Sequence, residues 1–450
     1  MFCSPATRRN GASLLPERKS PAPATVTSPP RTANRPRHGS VPPISNFKSI
    51  EAEPLTGRTH QIRVHAAENG FPILGDTLYG GSGFSRVCLH AAELTLRHPA
   101  GGKPMTFRAP VDFGAETGSQ LRAALIDFQE TDIYRLIHGA SDGWPGWTVD
   151  CFGGFLLSQS GSGWVEERKN RLESLLAGDS RIPRLALRIA GAYHKILDRQ
   201  VRRAAPVEAS PQLVWGEAAP ERFAVRENGV AFEVSFNEGY SVGLFHDQRD
   251  NRRRLLTGHV AAGFSLYKSE LQNPNSELRV LNAFAYTCGF SVCAARAGAR
   301  TTSLDLSKKY LDWGKRNFAL NHLDPARHDF IYGDAFDWLR RLAKQRRVFE
   351  VILLDPPTFS QSKEHGVFRV EKDFGRLVAS GLPLLKTGGV LFASTNAAGW
   401  LPEQFLAGIE AAVHAGGRKI IQRHYVPQPP DFPISRAEPA YLKTAWLRID

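Results

Sequence analysis

Cysteine is scarce in this 450-residue chain: Cys3, Cys88, Cys151, Cys288 and Cys293 are the whole set, with no C-x-x-C pair among them. That excludes a disulfide framework and a structural zinc site, predicts no metal centre, and fits a reducing, cytoplasmic setting. No apolar run approaches the roughly 18 residues a spanning helix needs, so no membrane helix is expected. Acids are nearly missing from the first 50 residues, where eight Lys/Arg face Glu17 alone, and no aspartate precedes Asp76. The formal charge of +13 is therefore in large part a property of this tail, since the other 400 residues carry 49 basic and 43 acidic groups. A basic tail binds polyanions without specificity, so the charge points weakly to a nucleic-acid partner.

The length suggests two or three domains. Residues 1–48 hold nine prolines and no hydrophobic periodicity, which predicts a disordered Pro/Arg-rich tail. An organellar transit peptide and an artefact of translation start are the other readings of this segment. Residues 49–126 are short apolar runs broken by Gly and Pro, read as strands and turns. Residues 127–220, with a strand over 154–159 and a helix over 166–176, read as a small α/β domain. The final segment, 221–450, opens on a hairpin at Glu227-Asn228-Gly229, because Asn-Gly is a favoured two-residue turn.

From residue 279 the pattern is regular. Strands over 279–282, 301–306, 329–332, 348–354 and 389–395 alternate with helices over 290–297, 309–320, 335–344, 371–385 and 402–415, and strands near 419–425 and 442–449 close the chain. Such alternation predicts an α/β, doubly wound, Rossmann-like parallel sheet whose ligands lie outside the carboxyl ends of the strands. Asp305, Asp334 and Asp355 each stand at such an end. Asp305 follows Asn282 by 23 residues, close to the offset of about 20 at which an acid in a dinucleotide fold accepts from ribose hydroxyls. The loop Ala283-Phe284-Ala285-Tyr286-Thr287-Cys288-Gly289 has one glycine and no pyrophosphate cradle, which favours a nucleoside without phosphates such as S-adenosyl-L-methionine. Asp305 and Asp334 could instead simply cap the helices that follow them.

The sharpest local signal is Ile352-Leu353-Leu354-Asp355-Pro356-Pro357-Thr358-Phe359. A buried strand ends in a carboxylate, two prolines fix the backbone and withhold their amides, and Phe359 is placed to stack on a planar base. The bland alternative is an ordinary proline turn.

Together these residues carry a resemblance. Through Asp142-Gly143-Trp144-Pro145-Gly146, the run from Gly243 to Arg252 (GLFHDQRDNR), Val280 to Thr287, Asp305-Leu306-Ser307-Lys308 and Asp355 to Lys363, residues 130–450 resemble the S-adenosylmethionine-dependent methyltransferases of 23S ribosomal RNA. The resemblance implies a class I methyltransferase domain and large-subunit ribosomal RNA as partner. It also implies cofactor contacts at Asp305 (ribose), Asp334 (adenine), Gln248, Arg249, Asn282, Phe284 and Gly289. Asp355, Pro356, Pro357 and Phe359 would form the catalytic site around the target base. Cys288 departs from the family, which usually has glycine there; a side chain at that position would crowd the methionine end of the cofactor.

Two chemistries occur in that family. Cytosine carbon-5 methylation needs a cysteine thiolate that adds to the ring, and neither Asp355 to Ser360 nor Phe392 to Asn396 contains one. Methylation of a ring nitrogen needs only a lone pair held in line, and the stretch Asp355 to Lys363 with Phe368 and Asp373 resembles the guanine nitrogen-7 members most. Guanine nitrogen 7 is the expected target. Cytosine carbon 5, and a non-catalytic RNA-binding or ribosome assembly protein, are the alternatives.

Residues 51–113 resemble the C-terminal part of the RluA-type pseudouridine synthases, through Pro54 to His65 (PLTGRTHQIRVH), Pro72 to Asp76, Tyr79-Gly80 and Leu89-His90-Ala91. The catalytic aspartate of that family lies upstream of the matched stretch. Arg63 matches the arginine that would pair with it, and His60 and His65 read as structural. This implies an incomplete, β-rich fragment that is inert as written.

Overall fold

The computed structural model describes residues 48–450, except 85, 98–100, 110, 112, 114–116, 179–188, 198–209, 240, 268–276, 363–365 and 437. The proline-rich tail lies outside the described residues. The chain divides into two compact units, Met1–Ala115 and Glu116–Asp450.

In the first unit, α1 (Gln61–Glu68) precedes the ribbon β1 (Glu93–Arg97) and β2 (Pro104–Arg108). The expected all-strand reading misses α1, whose sequence carries no apolar stripe and buries only Ala66. Arg63 on α1 donates bidentately to Asp76 at 2.8 and 2.6 Å and stacks on Tyr79, whose hydroxyl meets His60 Nδ1 at 2.9 Å. Every residue of β1 and β2 is exposed save Leu96. A two-stranded ribbon wet on both faces is marginal by itself.

The second unit opens with α2 (Thr117–Leu125) and a five-stranded sheet in the order β3 (Ile133–His138), β4 (Trp147–Phe152), β5 (Phe155–Ser160), β6 (Gly191–Ile196), β7 (Gln212–Gly216), with α3 (Glu166–Gly178) between β5 and β6. Sequence periodicity shows only one of these strands, because β3 is buried along its whole length and so lacks the alternation of a half-wet strand. The hairpin β8 (Phe223–Glu227) and β9 (Val230–Val234) turns on Asn228 and Gly229, both at positive φ, as expected. Next come α4 (Arg249–Thr257) and the short pair β10 (His259–Ala261) and β11 (Phe264–Ser265).

The main sheet then forms from β12 (Arg279–Ala283), α5 (Gly289–Arg296), β13 (Arg300–Asp305), α6 (Lys308–Leu320), β14 (Asp329–Tyr332), α7 (Ala335–Lys344) and β15 (Phe349–Leu354). A small hairpin, β16 (Phe359–Ser362) and β17 (Gly366–Arg369), leads to α8 (Val370–Gly381), β18 (Leu385–Thr395), α9 (Pro402–Ala415), β19 (Ile420–Val426) and β20 (Lys443–Ile449). The strand order is β14-β13-β12-β15-β18-β20-β19. The first five strands are parallel; β20 runs antiparallel to both β18 and β19, so the closing pair makes the sheet mixed. One hydrophobic layer joins this sheet to the smaller one, with Ile133, Phe152 and Tyr193 in the same cluster as Val280, Phe392 and Trp446, while α7, α8 and α9 cover the other face. Among the described residues no helix is long and apolar enough to cross a membrane.

Candidate functional site

Register places the acids on one rim. Ala283 pairs with Leu304 and with Leu354, Asp305 with Tyr332, and Leu354 with Ala393, so the carboxyl ends of β12, β13, β14, β15 and β18 lie side by side. Asp305, Asp334 and Asp355 all stand there.

The loop after β12 has an unusual backbone. Phe284, Tyr286 and Cys288 have φ of 64°, 49° and 63°, a region that costs a non-glycine residue about 1–3 kcal/mol and persists only where surroundings enforce it. The enforcing bonds are Ala285 N–H to Leu304 O at 2.9 Å, Tyr286 N–H to Asp305 Oδ2 at 2.7 Å, Thr287 Oγ1–H to Gly243 O at 2.6 Å and Asn317 Nδ2–H to Thr287 O at 2.9 Å. Asp305 also accepts from Ser307 N–H at 2.8 Å, while Ser307 itself caps α6. Asp305 is thus the organiser of the loop and not the helix cap. Burial pushes its carboxyl above the usual range, against the backbone amides of Tyr286 and Ser307 that hold it down.

Asp334 does cap a helix: its Oδ1 accepts from Asp337 N–H at 3.1 Å at the start of α7. The half-buried Phe284 ring lies 6.2 Å from Phe368, and Phe368 lies 6.2 Å from Phe336, so three aromatic rings gather beside this corner of the rim. Asn282 is buried; its Nδ2 donates to Ser291 Oγ at 2.9 Å, but its Oδ1 has no partner. An orphaned buried acceptor is costly in a finished core and is what a site awaiting a donor looks like.

Cys288 does not crowd the cleft. Its side chain is fully buried and turned toward α6, where a Cβ built on Gly314 would come within 2.3 Å of its sulfur. Gly314 makes room for the thiol. Gly289 packs closely as well: a Cβ there would meet Leu244 Cδ1 at 3.2 Å, a contact that a small shift of the leucine relieves, and Arg252 Cδ at 3.5 Å.

Gln248 and Arg249, which precede and open α4, are engaged by protein partners. Gln248 Nε2 donates to Ser394 Oγ at 2.8 Å and to Asp355 Oδ2 at 3.3 Å, while its Oε1 accepts from Asn251 Nδ2 at 2.8 Å. Asn251 is held in turn by Trp446 Nε1, at 2.9 Å from its Oδ1. Arg249 gives both Nη groups to the buried Asp431, at 2.9 and 2.5 Å. Geometry therefore puts Gln248 beside the Asp355 carboxylate and Arg249 in a buried ion pair with Asp431.

Asp355 is pushed up to about 6, first by burial and further by the like charge of Asp247, against hydrogen bonds from Ser394 and Gln248 and the charge of Arg252. Asp247 accepts from Tyr441 Oη at 3.0 Å. Pro356 is buried, Pro357 is exposed, and Phe359 opens β16 half exposed with the Arg369 guanidinium 5.8 Å from its ring. Ser394, Asp247 and Tyr441 were not singled out from the sequence. Asp247 sits inside the quoted run around Gln248 and could have been; Tyr441 has no local signal.

A seven-stranded α/β sheet whose rim carries Asp305, Asp334 and Asp355, with no glycine cradle for phosphates, has the Rossmann-like fold of a methyltransferase. Residues 134–448 match the family described as S-adenosylmethionine-dependent methyltransferase, and the chain belongs to that family. It is a transferase whose cofactor is S-adenosylmethionine. Among its relatives is the ribosomal RNA large subunit methyltransferase of Deinococcus radiodurans, 33% identical over 352 residues, covering 76% of this chain and 78% of the relative. Ribosomal RNA large subunit methyltransferase I of Cronobacter sakazakii is 33% identical over 336 residues, covering 73% and 77%. In structure the chain is similar to SMU.776, described as a methyltransferase complexed with SAH, with a TM-score of 0.59 and 28% identity over 86% of this chain and 98% of that one.

Proposed function

We propose that this chain methylates a base of large-subunit ribosomal RNA, with guanine nitrogen 7 as acceptor, and that residues 51–113 are an inert pseudouridine synthase fragment. The RNA substrate rests on the names of the relatives. When bound, the cofactor supplies a methyl group on a sulfonium, a strong electrophile. Asp305, Asp334, Asn282 and Phe284 are the residues that would hold it: Asn282 brings an unpartnered acceptor, and Phe284 an aromatic face. Gln248 and Arg249 act through Asp355 and Asp431 and are positioning residues.

The observation that carries the choice of base is the surroundings of Asp355: a carboxylate with Gln248 and Ser394 on it and, among the described residues, no thiol acting on it. Of the four described cysteines, Cys88 is half-buried and burial raises its thiol above the usual range. Cys151, Cys288 and Cys293 are buried, and burial pushes each thiol up to about 12. A nucleophilic cysteine needs the opposite environment. For a ring nitrogen the protein has only to hold the base in line; an ionised Asp355 accepts from the N–H donors of guanine while Phe359 covers its face.

The wet β1–β2 ribbon supports the fragment reading, as does the engagement of Arg63 with Asp76. Transfer of label from S-adenosylmethionine to unmodified large-subunit RNA, with the nucleoside identified after digestion, tests the proposal. The expected product is 7-methylguanosine. Label in 5-methylcytidine would overturn the choice of base, and pseudouridine formed by the same protein would overturn the inert fragment.

A further inference from the structure

At the amino-terminal ends of the strands, opposite the rim just described, β12 and β13 put two like charges side by side: Arg279 is the direct ladder partner of Arg300. Like charges facing each other across a ladder destabilise it. Among the described residues two carboxylates offset them in part, at ion-pair distance but without a close hydrogen bond. Glu277 Oε2 is 3.7 Å from Arg279 Nε and 3.7 Å from Arg300 Nη1, and Asp329 Oδ1 is 3.7 Å from Arg300 Nη2, all beyond the roughly 3.2 Å limit of a good N–H···O bond. Glu350, the next acid, accepts from the Arg279 backbone amide at 2.9 Å and from Lys386 Nζ at 3.2 Å.

A third arginine completes the group and is locked. Arg347 Nη2 donates to Asp329 Oδ2 at 2.8 Å and Thr302 Oγ1 at 3.1 Å, and its guanidinium lies 5.5 Å from the Phe349 ring centre. The three arginines, with Thr302 and Phe349, line one cavity of about 160 Å³, room for a tetrahedral oxyanion. The neighbouring His328 is held below the usual imidazole range by burial first and then by Arg327 and Arg300, against Asp324 and Asp329.

We propose that this cavity binds a phosphate group, at a site separate from the methyl-transfer rim. Guanidinium forks match phosphate oxygens bidentately, and a bound phosphate would take N–H donors of Arg279 and Arg300 that Glu277 and Asp329 reach only at 3.7 Å. Strands of five or six residues put the cavity about 15–20 Å from the Asp355 rim, so its occupant is not the base being methylated. The phosphate can belong to the backbone of a folded RNA held at both ends of the sheet, which rests on the reading of the substrate as RNA, or to a free phosphorylated molecule.

The full chain and its Arg279→Gln and Arg300→Gln variants are compared in two assays, with cofactor affinity as the control. Inorganic phosphate or pyrophosphate raises the melting temperature of the parent and not of the variants, and in phosphate-free buffer the variants melt no lower than the parent. RNA binding over a salt series then names the source. A log–log slope smaller by about 1 in each variant means an RNA phosphate; an unchanged slope beside retained phosphate protection means a free phosphorylated ligand. The first assay does not involve RNA, so it stands if the RNA reading fails. Absence of phosphate protection together with unchanged salt slopes overturns the site and leaves the arginines as surface charge.

Discussion

Cys288 and Gly314 occupy one space: the thiol on the loop after β12 lies where the side chain of any other residue at 314 would have to be. The loop keeps its left-handed N-cap residue despite a Cβ, because α6 gives way opposite it.

Gly314→Ala therefore costs stability, although alanine is normally better than glycine in a helix by about 1 kcal/mol. The expected loss is about 1–3 kcal/mol from overpacking. Cys288→Gly relieves the left-handed strain, and the double variant recovers most of the loss. Denaturant melts of the four proteins close the cycle, and strict additivity would contradict the shared space. In the folded parent Cys288 resists alkylation at pH 8, its thiol being pushed up to about 12 by burial.

Asp355→Ala keeps cofactor affinity within about twofold and loses transfer by at least about 100-fold, the scale of a lost positioning or acid–base group. Calorimetric titration of cofactor beside single-turnover transfer separates the two. Retained transfer would remove Asp355 from the site.

The pH profile follows from the same carboxyl. Asp355 titrates at about 6 in the fold against 3.8 in a free chain, so the native state binds the extra proton and stability falls as pH rises from about 4 to 6. If the ionised form grips the base, kcat/KM rises through pH 6 while stability declines. Asp355→Asn abolishes both inflections and raises the melting temperature at pH 8, by an amount worth about 1–3 kcal/mol. A profile flat from pH 5 to 8 in the parent would refute this role.

Arg249→Met leaves Asp431 buried without its partner, since both side chains are almost inaccessible. Breaking a buried pair on one side costs about 3–5 kcal/mol. Thermal melting should show that loss, and restoring stability with Asp431→Leu beside it should restore cofactor affinity too. Stability unchanged with cofactor binding lost would make Arg249 a direct contact.

The alternation of strands and helices from 279 to 449, apart from the β16–β17 hairpin and the end of α8 at Gly381, was readable because α/β segments write their period into the sequence: α7 begins and ends where the pattern puts it, and so does α9. Strand ends mark the rim, so Asp305, Asp334 and Asp355 could be named without coordinates. The smaller sheet could not be read, since fully buried strands such as β3 show no alternation.

What sequence alone determined is the fold class and the three acids, because both follow from local periodicity and from where strands stop. Tertiary structure decided which atoms are already taken. Ser307 caps α6, and Asp305 is left to shape the loop. Gln248 meets Asp355 across 107 positions and Ser394 across 146, and Tyr441 reaches Asp247 across 194. Hydrogen bonds and shared volumes between residues so far apart leave no periodic trace in the chain, and only packing reveals that the Cys288 side chain points at Gly314.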